Sequence, residues 1–165
     1  MIKSFYECKR VVAGVQNVNF APNRLQTDTG IVSASSYEGS YPPWYAFDFG
    51  SNTYWRAGRN DQTPWISCDL GEVKHIIKTR LITFDDLNGV WIGELYIEGS
   101  NDNVNWFNII KGADYVLHRA IYPDLTEAFY ELEGNARYVR IRSDTPFTVW
   151  GGNSCWFSDI LFITE

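Results

Sequence analysis

No stretch of about eighteen apolar residues occurs anywhere in the 165-residue sequence, which excludes a membrane-crossing helix of ordinary length. The opening stretch, MIKSFYECKR, lacks the apolar segment of a signal peptide. The expectation is a chain that is intracellular as made, or a module cut from a larger secreted, cell-surface or virion protein with an added Met. Basic charge is scarce: 14 Lys and Arg stand against 20 Asp and Glu, for a net charge of −6. Nucleic-acid binding needs clustered cations, and docking on anionic membranes by charge needs them too, so neither partner is expected. The densest basic cluster, RYVRIR (137–142), alternates like a strand, with Val139 and Ile141 on one face and Arg140 on the other.

Histidine and cysteine are sparse, with two His and three Cys. Zinc needs them clustered at ligand spacing, and no such cluster occurs. No Gly-x-Ser-x-Gly nucleophile motif is present, and EGSNDN has one Gly and is no phosphate loop. The 20 acidic residues offer many pairs for a glycosidase, but nothing singles one out. Cys68 lies in WISCDL, where Ile66, Cys68 and Leu70 share a face, and reads as a buried free thiol. Cys8 and Cys155 form no close pair, and spacing alone does not establish a disulfide between them.

Sustained helical periodicity is also missing. In its place are short β-branched and aromatic segments separated by turn residues: IVSASS (31–36), WISCDL (65–70), IIKTRLITF (76–84), GELYIEG (93–99), WFNII (106–110), EAFYEL (127–132), RYVRIR (137–142) and WFSDILFI (156–163). Gly71, LNG (87–89), GSNDN (99–103), EGN (133–135) and GGNS (151–154) read as the breaks. The pattern predicts one all-β domain over 1–165, an antiparallel sandwich of about eight strands. Residues 1–30 are less regular and are expected to wrap it as an N-terminal extension.

What the chain has in surplus is aromatic rings, 16% of residues, with 7 Trp, 10 Tyr and 10 Phe. The surplus belongs in a very aromatic core or on a working surface. YAFDFGSNTYW (45–55) concentrates the question, because small oxygen-bearing residues stand there between Tyr45 and Trp55. It reads as a plain turn, a metal loop or the rim of a binding site.

Several segments together resemble the discoidin domain, also called the F5/8 type C domain, which includes the family 32 carbohydrate-binding modules. SASS (33–36) is similar to the family's early Ala-Ser-Ser strand. AFDFGSNTYW (46–55) matches its Ala-x-Asp-x-x-x-x-Thr-x-Trp loop through Ala46, Asp48, Thr53 and Trp55. WISCDLG (65–71), LNG (87–89), LYIEGSNDNVNW (95–106), ARYVRIR (136–142) and FSDILFI follow in the family's order. The resemblance spans residues 31–163 and implies a jelly-roll sandwich of eight antiparallel strands.

It also implies a structural calcium, or sometimes sodium, in the 45–55 loop. The ligands would be the carbonyls of Tyr45, Gly50 and Ser158, the carboxylates of Asp48 and Asp159, and the oxygens of Thr53, a donor set suited to a hard cation. Gly50 replaces a frequent Asn or Asp, and Asp159 replaces the usual Glu. The alternative is a metal-free turn in which Asp48 accepts backbone N–H bonds.

For function, the resemblance implies a non-catalytic glycan site on loops at one end of the sandwich. Trp55, Trp65 and Trp106 fall on framework positions and are expected in the core. Trp44, Trp91, Trp150 and Trp156 remain as candidates to stack on a sugar, to pack at the rim, or to form a protein contact patch. Asn88–Gly89 fits an Asn-Gly of galactose-binding relatives. Asp85 or Asp86 stands where those relatives carry Arg, no His is in place, and Arg56 and Arg59 are candidate replacements. One ring face and a few hydrogen bonds give affinities on the order of 10–1000 μM, about 4–7 kcal/mol. The parent would be a multidomain enzyme or an attachment protein. The competing expectation is a protein–protein adaptor; membrane binding through exposed aromatic loops is disfavoured by the charge.

Overall fold

Alternation of apolar and polar residues over long spans sets the frame. The computed structural model describes residues 19–21, 31–48, 52–83, 95–110, 126–144, 148–149, 152–153 and 156–165. These form β1 (Asn19–Ala21), β2 (Val32–Ala34), β3 (Trp55–Arg56), β4 (Trp65–Thr83), β5 (Leu95–Ser100), β6 (Phe107–Asn108), β7 (Thr126–Ser143), β8 (Thr148–Val149), β9 (Gly152–Asn153), β10 (Trp156–Phe157) and β11 (Asp159–Thr164), with a 3₁₀ helix at Pro43–Phe47. All pairings are antiparallel. The main sheet runs β1-β11-β4-β7-β5-β6 with β2 beside β4; β3 pairs β10 and β8 pairs β9. The result is the expected all-β antiparallel sandwich.

Two expected breaks are bends instead. WISCDL and IIKTRLITF form the single strand β4, and EAFYEL and RYVRIR form the single strand β7. At the first bend β4 advances from Asp69 to Lys74 while β7 moves only from Tyr138 to Ala136. The slack is a bulge around Gly71, whose φ of 83° suits a residue without Cβ. Asp69 Oδ1 accepts the Gly71 N–H at 2.8 Å and fixes the bulge. The second bend lies between Ile76 and Lys78 of β4, opposite Gly134 and Glu131. There a Cβ on Gly134 would stand 2.5 Å from Ile109 Cγ2. The glycine lets the Ile109 side chain cross close to the backbone of the bent strand.

Bending lets both halves of the long strands bury their apolar sides together. Ile66, Val139, Ile141 and Ile97 from one half share one core cluster with Ile76, Leu81, Ile160 and Phe162 from the other. Trp55 lies in that cluster, fully buried and stacked on Phe157 with centroids 6.2 Å apart. Its indole N–H donates to the Ser36 carbonyl at 3.0 Å. Cys68 is a buried free thiol, as its strand position predicts, and burial pushes its pKa far up.

Trp65 and Trp106 depart from expectation, since both are only half-buried. They belong to the outer side of the sheet, where Arg140 lies over the Trp106 ring at 4.1 Å. Of the N-terminal extension, the structure describes β1, which pairs with β11 through Phe20 and Ile163. Cys8 and Cys155 lie outside the described residues. Among the described residues, no helix is long and apolar enough to cross a membrane.

Candidate functional site

The β3–β10 pair is the seam on which the described candidate residues converge. Trp55 opposes Phe157 and Arg56 opposes Trp156 in its register. The loop before the 3₁₀ helix adds a third segment: Glu38 N–H donates to the Arg56 carbonyl at 2.9 Å, and Arg56 N–H donates to the Tyr41 carbonyl at 3.3 Å. Because Trp55 turns inward, its neighbour Arg56 turns toward the rim, where its side chain is 18% exposed.

Arg56 and Arg59, both chosen from sequence, meet on one carboxylate that sequence reasoning missed. Glu38 Oε2 forms an ion pair with Arg56 Nε at 2.7 Å, and Glu38 Oε1 with Arg59 Nε at 2.8 Å. The Arg59 side chain is 64% exposed, and Tyr37, next to Glu38, is 54% exposed. Asp61 braces the same loop from below: its Oδ2 accepts the Ser35 and Ser36 hydroxyls at 2.5 Å each. Ser36 Oγ also accepts the Gly58 N–H at 2.9 Å. Tyr41 and Tyr54 stack nearly parallel, 4.5 Å between centroids, tying this loop to the strand entering Trp55. The missed signal was local: Tyr37, Glu38 and Tyr41 crowd the ten residues before Trp44, and the pairing of that loop with β3 is what gives them a partner.

Trp44 lies on the 3₁₀ helix, half-buried and edge-on to Tyr45 with centroids 6.3 Å apart. Pro42 and Pro43 start that turn with fixed φ. Asp85, Asn88, Trp91 and Trp150 lie outside the described residues. The strand ends that flank their two segments are described, and they lie side by side. Ile82, just before Thr83, pairs with Asp159 close to Trp156, and Leu95 pairs with Ser143. The two connections therefore start and finish at neighbouring places. Trp156 is placed by its backbone register opposite Arg56.

The expected cation ligands lie on the other side of the same seam. Asp48 ends the 3₁₀ helix, and Thr53 Oγ1 donates to Asp48 Oδ1 at 2.8 Å. Ser158 and Asp159 sit where β10 passes into β11, with Ser158 N–H donating to the Ile82 carbonyl at 2.8 Å. Asp159 is 5% exposed, and its Oδ2 lies 3.6 Å from Arg80 Nη1. Tyr45, Asp48, Thr53, Ser158 and Asp159 thus flank β3–β10, while Gly50 lies outside the described residues. An all-oxygen set of this kind suits calcium. The Thr53–Asp48 bond equally closes a metal-free turn, and Arg80 already offsets part of the Asp159 charge. Among the described residues, no group of three or more His, Cys, Asp and Glu gathers around a metal position.

A different surface lies on the outer side of β5, β6 and β7. Arg142 stands over Tyr96 at 4.3 Å, Arg140 over Trp106 at 4.1 Å and Arg137 over Tyr138 at 5.0 Å. Glu98 pairs with Arg140 at 2.7 Å and Arg142 at 3.3 Å. Arg137 grips Asp69 through two bonds of 2.9 and 2.8 Å. The Arg137 guanidinium holds the Asp69 carboxyl below its ordinary range.

The long bent strands β4 and β7, folded over one core, define the class: an all-β antiparallel sandwich. The F5/8 type C domain profile matches residues 31–158, and the chain belongs to that family. No curated protein matches the chain. Among solved structures, it is similar to a family 32 carbohydrate-binding module from a family 31 glycoside hydrolase of Clostridium perfringens. The TM-score there is 0.68 at 18% identity, covering 82% of this chain and 90% of that one. The family 32 module of AlyQ, solved with 4,5-unsaturated mannuronic acid, gives 0.61 at 17% identity, covering 82% and 95%. A family 32 module of Clostridium perfringens NanJ, solved with galactose, gives 0.57 at 17% identity, covering 80% and 91%. A truncated AlyQ carrying both this kind of module and an alginate lyase domain matches with 32% of its length covered.

Proposed function

We propose that this domain binds glycans, without catalysis, on the loops around the β3–β10 seam. The observation that carries the reading is the Glu38–Arg56–Arg59 ion-pair cluster, whose Arg59 is 64% exposed, in the loop that also carries exposed Tyr37 and beside the β3–β10 register that sets Trp156 opposite Arg56. Tyr37 supplies a ring for the apolar face of a pyranose, and the guanidiniums supply donors for its oxygens. Trp44, Asn88, Trp91 and Trp150 are the candidates to complete the site, with Asp85 as a rim acceptor. Similar modules solved with a sugar acid and with galactose support a carbohydrate ligand, and the two-domain AlyQ structure supports a parent enzyme that this module would bring to its substrate. A secreted or surface location follows from that role and is part of the proposal. A structural calcium held by Tyr45, Asp48, Gly50, Thr53, Ser158 and Asp159 would brace the opposite side of the seam.

Calorimetric titration against a panel of neutral, acidic and amino oligosaccharides tests the reading. Tyr37→Ala or Arg59→Ala should remove most of a weak affinity, about tenfold or more by analogy with interface anchors, with little change in melting temperature. No binding across the panel would refute it. A second reading rests on the outer sheet face: Trp65, Tyr96, Trp106 and Tyr138 interleaved with Arg side chains suit a protein contact. In that reading, Tyr96→Ala breaks complex formation and Tyr37→Ala does not.

A further inference from the structure

The identity of the side chains on the seam bears on the class of sugar. Arg56 and Arg59 share one carboxylate, Glu38, in a chain of net charge −6. Asp61, which holds the same loop, is engaged by the Ser35 and Ser36 hydroxyls and by the Thr63 N–H at 3.1 Å. A guanidinium has five donors in a planar fork that matches a carboxylate. Arg59 meets Glu38 through Nε at 2.8 Å, and its side chain remains 64% exposed. Most of its side chain is therefore open to solvent while Glu38 engages one edge of the guanidinium at Nε.

We infer that the site selects glycans carrying a carboxylate, such as uronic-acid chains, and that Arg59 is the specificity-determining residue. The inference rests on the glycan reading above. Glu38 acts as an internal counter-ion: it orients both guanidiniums and sets how much charge the ligand must supply. A neutral sugar offers hydroxyl oxygens that accept single neutral bonds, whereas a carboxylate accepts charge-assisted, two-pronged bonds from the same group. The acidic remainder of the chain opposes long polyanions, so the expected mode is contact with one or a few acidic residues and not tracking along a polymer.

The test uses the full chain and three short uronate oligosaccharides (galacturonate, mannuronate and glucuronate), each paired with its carboxyl-reduced neutral counterpart. Calorimetry at low and at about 0.5 M salt reads the affinities. At least one acid should bind about fivefold or more tighter than its reduced form, and the preference should shrink at high salt, where the Debye length falls to a few ångströms. Arg59→Gln should weaken the acid about fivefold more than it weakens the reduced sugar, and Glu38→Gln should strengthen the acid by a similar factor. Matching melting curves confirm that each variant is folded. Equal or tighter binding of the reduced sugars, or acid binding indifferent to Arg59→Gln, overturns the inference and leaves the glycan reading intact. No binding by either set here, and none across the wider panel, overturns both.

Discussion

Gly134 faces the Ile109 side chain so closely that an added Cβ would stand 2.5 Å from Cγ2 and 3.1 Å from Cβ of that residue. Ile109 is buried and branched at Cβ, so it cannot swing away cheaply. Gly134→Ala should therefore cost about 1–3 kcal/mol, the ordinary penalty of overpacking. In an Ile109→Ala background the same change should cost far less, and denaturant unfolding of the four proteins checks the coupling. Asp69 gives a prediction in pH. Arg137 lowers its folded-state pKa, so the pair adds stability above the ordinary carboxylate range and loses it as pH falls below about 4. Asp69→Asn should cost about 1 kcal/mol near neutrality, the scale of a solvent-screened pair. That deficit should fade on acidification, as thermal melts across pH will register. A deficit that stays constant from pH 7 to pH 3 would assign the effect to packing.

At the scale of elements, the 3₁₀ helix and the turn after it bring Asp48 and Thr53 to one side of β3, with Ser158 and Asp159 passing from β10 to β11 beside them. If these oxygens hold calcium, the ion stabilises the fold by mass action, about 2.7 kcal/mol at a hundredfold excess over the dissociation constant. A chelator should then lower the melting midpoint by several degrees, and Asp48→Ala should abolish the response. An identical melt with and without calcium leaves the Thr53–Asp48 bond as the closure of a plain turn. Strand content was legible in the sequence because alternation at Val139, Arg140 and Ile141 reports a half-buried sheet directly. Strand continuity was not. Gly71 and Gly134 read as breaks, since a glycine that ends a strand and one that bends it look alike in one sequence. Only the partner strand, and for Gly134 the Ile109 side chain, distinguishes the two. Trp65 and Trp106 misled for a related reason: family framework positions were read as core, whereas both are half-buried, Trp65 by the pleat of β4 and Trp106 just before β6, where Arg140 covers its ring.

For the whole molecule, the bent strands join two half-sheets over one core, and the loop before the 3₁₀ helix meets β3 at the β3–β10 seam. Arg56 and Arg59 were legible as candidates because they follow Trp55 directly. Glu38 was not, because its role depends on the pairing of a distant loop with β3, which no spacing rule announces. That convergence is the central claim, and residue-resolved NMR titration with acidic and neutral oligosaccharides tests it most directly. The account predicts that shifts from a bound glycan concentrate at Tyr37, Glu38, Tyr41, Arg56 and Arg59, with Tyr96, Trp106 and Tyr138 unmoved. Shifts centred on those three outer-face residues, or none with any glycan, would contradict it.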